Sequence, residues 1–318
     1  MIGWVLRWVG RAVGLVTGGY LGYIALRGSR ALVRPEVRAF VPDVEGAPAT
    51  PADIGLAYED VRFATDDGVT LAGWLIPAGR DTRAVVVVLH GFSGHRLPEL
   101  AGFVPWLQPR YHVLQFDFRG HGDSERALVT LGSRERRDVA AAERFVNDRG
   151  LGPVALMGVS MGAATAILAA PDLPVAAVVA DAAFADAHHP IANRMRELRY
   201  PLASLGARAI VAAAALRSRA WIRSPLSTVA RIAPRALLLI APREDRLIHV
   251  SQSRKLFAAA REPKELYVVD GAEHGDSWVT AGPEYERRVL AFLERYLDGA
   301  TSATETPAVA VAREARGG

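Results

Sequence analysis

Pro153-Val154-Ala155-Leu156-Met157-Gly158-Val159-Ser160-Met161-Gly162 is the stretch whose reading decides the fold. Its first half is a continuous apolar run, as a strand buried on both faces requires. Residues 161–170 read as a helix. Between them Gly158-Val159-Ser160-Met161-Gly162 spells G-x-S-x-G, the pattern of a strand that turns sharply into a helix with a serine at the apex. The two glycines lack a Cβ, so strand and helix can approach without collision. A helix that starts behind Ser160 points free N–H groups at whatever the hydroxyl attacks. Ser160 is therefore a candidate nucleophile, with a chemically idle tight turn as the plain alternative.

Outward from this stretch, strand and helix alternate. Ala84-Val85-Val86-Val87-Val88-Leu89 is another run suited to a doubly covered strand, and similar runs occupy 112–117, 175–180, 235–240 and 265–269. Helical patterns fill 133–149, 249–261 and 283–297, and residues 57–76 read as a hairpin that turns at Asp67-Gly68. This order predicts a mostly parallel sheet with right-handed crossovers and helices on both faces. Ligands of such sheets bind beyond the carboxyl ends of the strands. The residues just after each strand are thus the informative ones.

A serine hydroxyl needs a base. Of eight histidines, His274 follows the strand at 265–269 in Asp270-Gly271-Ala272-Glu273-His274-Gly275 and lies C-terminal to Ser160. Asp245, after the strand at 235–240, is the candidate carboxylate that orients it; Asp181, after 175–180, is the competitor. After 84–89 comes His90-Gly91-Phe92-Ser93-Gly94, so the N–H groups of Phe92 and Met161 are candidate oxyanion donors. His90 and His121 are read as loop braces, His112 as structural, and His95 as a possible substrate contact. No partners for a metal site at His188 and His189 are found, and no cofactor is expected.

Residues 57–297 resemble the α/β-hydrolase superfamily, in particular its Bem46-like and serine-aminopeptidase-like bacterial branch. The likeness rests on His90-Gly91-Phe92, Asp117-Phe118-Arg119-Gly120-His121-Gly122-Asp123-Ser124, Gly158 to Gly162, Asp245 with Ile248, and Gly271-Ala272-Glu273-His274. It implies an α/β-hydrolase fold, a Ser160–His274–Asp245 triad, an oxyanion hole from Phe92 and Met161, and hydrolysis of an ester-type bond through an acyl-enzyme. Pro242, His249 and Glu273 depart from the family's usual Gly, Pro and Gly. The insertion at 184–233 breaks the strand–helix rhythm, and the resemblance implies a cap there. Its Ala/Leu/Ile content, with Met195, Tyr200 and Trp221, suggests either an apolar acyl pocket or simple packing of the cap. A peptidase or amidase, a thioesterase, and a binding module on an inactive scaffold are the alternatives.

The N-terminus stands apart in composition. Residues 12–26 carry no charge, and Arg7 and Arg11 lie where cationic side chains can snorkel. Residues 1–26 read as a hydrophobic helix: a retained membrane anchor, a cleaved signal peptide, or an amphipathic or core-packing helix. The arginines that follow it slightly favour a cytoplasmic catalytic domain. Residues 27–55 read as a linker, 56–297 as the catalytic domain and 298–318 as a flexible tail. The chain has 318 residues and a net charge of +4, but only Lys255 and Lys264 are lysine and most arginines lie among carboxylates. That pattern argues against nucleic acid as a partner. Without cysteine there is no disulfide, thiolate metal site or Cys nucleophile.

Overall fold

The apolar runs assemble into one sheet. The computed structural model describes residues 2–38, 41 and 46–298. Its strands are β1 Glu59–Ala64, β2 Thr70–Ile76, β3 Val85–Leu89, β4 His112–Phe116, β5 Val154–Val159, β6 Ala177–Asp181, β7 Ala236–Pro242 and β8 Lys264–Val269. They lie in the order β1-β2-β4-β3-β5-β6-β7-β8. β2 runs antiparallel to both its neighbours, and every other pair is parallel. The hairpin turn falls at Asp67-Gly68 as expected.

Among the described residues ten α-helices accompany the strands: α1 Ile2–Val33, α2 Leu97–Gly102, α3 Val104–Leu107, α4 Arg136–Asp148, α5 Met161–Ala169, α6 His188–Glu197, α7 Ala203–Ser218, α8 Val250–Ala259, α9 Ser277–Ala281 and α10 Pro283–Leu293. The side-chain alternation of β3 splits the interior in two. Val85, Val87 and Leu89 face a layer that includes Val139 of α4 and Ala163 and Ile167 of α5. Val86 and Val88 face Trp106, Tyr285 and Phe292. A strand covered on both faces has no polar face to offer, which is why the run at 84–89 is continuous rather than alternating.

Two expectations change. The N-terminal helix does not end near residue 26; it continues to Val33, so the first seven residues assigned to a linker are helical. Ser29, Leu32 and Val33 are buried there against the rest of the protein, and tertiary burial, invisible to a local reading, extends the helix. The linker's residues 39, 40 and 42–45 lie outside the described residues, as does the tail from 299 on. The fourth helix starts at Arg136 rather than Ser133, because the Glu135 carboxylate turns back to accept the Thr130 and Gly132 N–H groups. The insertion at 184–233 holds α6 and α7, and α1 packs along α7. Among the described residues α1 is the one helix long and apolar enough to cross a membrane.

The loops at the carboxyl edge of the sheet are held by buried ions. Arg119 after β4 is 1% exposed and bonds both Asp67 of the hairpin turn and Asp138 of α4, at 2.8 and 2.6 Å. Its hydrogen bonds hold the Asp67 carboxyl well below the usual carboxylate range. Arg96 pairs with Asp117 and, at 3.0 Å, with Asp123, and lies 4.0 Å over the Trp74 ring. Removing one partner of such a set strands the other charge out of water. Arg119→Ala is accordingly expected to lower unfolding stability by about 3–5 kcal/mol, measured by urea unfolding beside the wild type; a loss under 1 kcal/mol contradicts this account.

Candidate active site

β5 delivers Ser160 into a conformation that few residues adopt. Its φ is 55° and its ψ −113°, which costs about 1–3 kcal/mol outside glycine. Two backbone bonds hold it: Ser160 N–H donates to the Asp181 carbonyl at 2.9 Å, and its own carbonyl accepts the Ala164 N–H at 3.0 Å. The flanking glycines allow the turn to be this tight. A Cβ on Gly162 would lie 2.1 Å from the Leu89 carbonyl oxygen, and one on Gly158 2.4 Å from the Gly162 carbonyl carbon.

His274 and Asp245 converge on this apex from the loops after β8 and β7. His274 Nε2 lies 3.1 Å from Ser160 Oγ, and its Nδ1 lies 2.6 Å from Asp245 Oδ2. The Asp245 carboxylate is 1% exposed, and its other oxygen accepts the Leu247 and Ile248 N–H groups at 2.8 and 2.7 Å. With one oxygen so fixed, the other aims at the imidazole. The Nδ1 proton then sits on the carboxylate side, and Nε2 is left as acceptor for the serine hydroxyl. Glu244 is exposed and stands apart from this set.

Asp181, the competing carboxylate, takes other partners. It accepts the Ser277 hydroxyl at 2.8 Å and the Tyr285 hydroxyl at 3.1 Å. Burial pushes its carboxyl up to about 7, against those two donors. Its hydroxyl partners belong to α9 and α10, about a hundred residues further along the chain, and nothing local in the sequence marks the pairing.

The loop after β3 is braced by two neutral histidines. His90 Nε2 accepts the Phe118 N–H at 3.0 Å, so its Nδ1 carries the proton that reaches the Gly91 carbonyl at 2.7 Å. His121 Nε2 accepts the Ser93 N–H at 3.3 Å and its Nδ1 lies 2.9 Å from the Arg119 carbonyl. The two rings meet edge to face at 5.1 Å. Gly91 lies beside the serine: a Cβ on it would be 3.7 Å from Ser160 Cβ. Phe92 follows directly, and Met161 is the first residue of α5, where an N–H has no intrahelical acceptor.

His95 corrects the expectation of a substrate contact: it is 1% exposed, and its Nδ1 accepts the Leu97 N–H at 3.3 Å. His112 bonds Ala78 N–H and the Thr82 carbonyl, both structural. His189 pairs with Asn193 at 2.9 Å. No group of three or more His, Cys, Asp or Glu able to hold a metal occurs among the described residues.

Ser160 opens onto a cleft of about 390 Å³. Phe92, Leu131 and Ile248 line it from the body, and Phe184, Ile191 and Met195 from the insertion. Among the described residues that line it, Arg194 is the one that is charged.

Burial, and for His90 the neighbouring His121, depress both imidazole pKa values. Unfolded imidazoles titrate near 6.5, so below that pH the unfolded chain binds more protons than the folded one. The contribution of the two rings is complete above pH ~6.5 and is lost as pH falls toward the folded values, by up to about 1.4 kcal/mol per pH unit per ring. His121→Gln is expected to make urea-unfolding stability fall less steeply between pH 7 and 5 than in the wild type; an equal or steeper fall contradicts the neutral-ring account.

Known proteins place this geometry in a family. Residues 80–224 match the family model described as serine aminopeptidase, S33. The Bacillus subtilis protein YqkD is 30% identical over 247 residues, 73% of this chain and 77% of its own length. The Arabidopsis thaliana α/β-hydrolase domain-containing protein WAV2 is 26% identical over 294 residues, 86% of this chain and 92% of its own. Among solved structures, the Pyrococcus furiosus esterase Pf2001 superimposes with a TM-score of 0.69 at 27% identity, covering 82% of this chain and 98% of its own. The esterase domain of a Rhodothermus marinus protein, at 24% identity and a TM-score of 0.56, covers 76% of this chain and 99% of its own and bears on the fold alone. With the eight-stranded sheet, the turn at Ser160 and these relatives together, the chain belongs to the α/β-hydrolase superfamily.

Proposed function

We propose that this hydrolase cleaves carboxylic esters through an acyl-enzyme formed on Ser160. The observation that carries the reading is the chain of two contacts, 2.6 Å from Asp245 to His274 and 3.1 Å from His274 to Ser160. Ser160 Oγ attacks the ester carbonyl carbon while His274 Nε2 takes its proton. The oxyanion is met by the N–H groups of Phe92 and Met161. As the tetrahedral intermediate collapses, the C–O bond to the alcohol breaks, and His274 returns the proton to the departing oxygen. Water then attacks the acyl carbon, with His274 again as base, and Ser160 is released. Asp245 holds the imidazole in orientation and stabilises its protonated form.

The apolar cleft favours an ester over a peptide. An aminopeptidase must anchor a substrate's α-ammonium, and the described residues that line the cleft include Arg194 but no carboxylate. A thioester would react by the same steps. For α1 we propose membrane attachment. Trp4, Leu6, Trp8, Val9, Val13, Leu15 and Val16 are all more than half exposed, apolar side chains that a lipid phase would cover. In this reading no metal or organic cofactor takes part.

Ser160→Ala is expected to abolish labelling by a fluorophosphonate probe and to lower kcat on p-nitrophenyl esters by about a millionfold, and Asp245→Asn to lower it by about ten-thousandfold. Serine-independent labelling, or none, would favour a binding module. Hydrolysis of aminoacyl anilides but not of p-nitrophenyl esters would replace the esterase with an amidase.

A further inference from the structure

The cleft beside Ser160 is closed on one side by the end of α1. Gly28, Ala31 and Leu32 of α1 line it, together with Met195 of α6 and Ile210 of α7. The helix is seated there closely. A Cβ on Gly28 would lie 2.5 Å from Ile210 Cδ1, so the Ile210 side chain of α7 packs directly on the backbone of α1 at that point. Ile24, Ser29, Leu32 and Val33 are buried. Polar contacts fix the seating at several points: Tyr20 Oη donates to the Pro201 carbonyl at 2.9 Å, Arg217 Nε to Ser29 Oγ at 3.3 Å, and Val129 N–H to the Val33 carbonyl at 3.0 Å. Beyond the helix, Arg38 N–H donates to the Ser93 carbonyl at 3.0 Å, in the loop that carries Phe92.

We infer that the last turns of α1 form the acyl-binding wall of the site, so that the N-terminal helix selects the substrate's chain length. The inference rests on Ser160 being the nucleophile. The ligand it implies is an ester whose acyl part is a flexible linear alkyl chain, laid along Ala31 and Leu32 with its carbonyl at Ser160. The side chains that the wall presents, Ala31 and Leu32, are aliphatic, so methylene groups are what it rewards. Each methylene taken from water is worth about fourfold in kcat/KM until the cleft is full. The same helix, with Trp4, Leu6, Trp8, Val9, Val13, Leu15 and Val16 exposed, would then hold the wall at the surface of the lipid phase in which such chains concentrate.

The test uses the full chain in detergent micelles and p-nitrophenyl esters from acetate to palmitate. Ala31 is exposed at the cleft mouth, so a bulky side chain there displaces no core. Ala31→Trp is expected to lower kcat/KM for the dodecanoate relative to the acetate at least tenfold. Leu32→Ala, which widens the wall, is expected to move the optimum toward longer chains and keeps the question answerable if the first variant does not fold. Val16→Trp, a similar change on an exposed part of the helix away from the cleft, is expected to keep the wild-type profile. An unchanged profile in Ala31→Trp or in Leu32→Ala overturns the inference, and so does an equal shift in Val16→Trp. Fluorophosphonate labelling of each variant separates the two readings: a wild type that does not label at Ser160 removes the nucleophile itself, whereas labelled variants with unshifted profiles remove only the wall.

Discussion

At the turn from β5 into α5 the chain must reverse direction within van der Waals contact of β3. Nothing larger than hydrogen fits at Gly158 or Gly162, since a Cβ at either would sit inside neighbouring backbone. Ser160 is held at positive φ by bonds to Asp181 and Ala164. The turn is strained, and strain of this kind persists only where the surroundings over-determine it. Here the surroundings are the buried centre of the parallel sheet, with β3 on one side of β5 and β6 on the other. The remaining elements matter to the site by what they bring to this fixed point.

What they bring arrives on loops, and loops at a sheet edge need their polar groups satisfied. The satisfaction is local and buried. His90 and His121 accept backbone N–H groups that only neutral imidazoles can accept, and Arg119 and Arg96 hold the segment after β4 against the hairpin turn and the loop after β3. Asp245 is aimed by two backbone N–H groups in the same way. The hydroxyl and the carboxylate that the proposed chemistry needs are thus placed by backbone bonds, and the imidazole lies between them.

The cap and the N-terminal helix form a second layer over this edge. α1 serves two environments along its length. Trp4, Trp8, Val13 and Val16 of its first part are exposed, while Ile24, Ser29, Leu32 and Val33 toward its end are buried. A helix docked at one end and open at the other couples the site's surroundings to whatever medium holds the open end. That coupling gives the apolar cleft a physical connection to the helix, which composition alone describes only as a candidate membrane segment.

The sequence by itself determined the sheet and its apex. Continuous apolar runs mark strands covered on both faces, and G-x-S-x-G between such a run and a helix leaves few conformations open. Positions just after the strands were enough to narrow the candidates to Ser160, His274 and a carboxylate at Asp245 or Asp181, because parallel strands deliver their C-terminal residues to one edge. Only the tertiary structure decided between Asp245 and Asp181 as the partner of the imidazole, since the choice turns on Ser277 and Tyr285, about a hundred residues downstream of Asp181. Only it showed that residues 27–33 are helix and not linker, and that Gly28, Ala31 and Leu32 line the cleft. Local propensity reports how a segment can fold. What a segment packs against is set by contacts between residues far apart in the chain, and a single sequence carries no local mark of them.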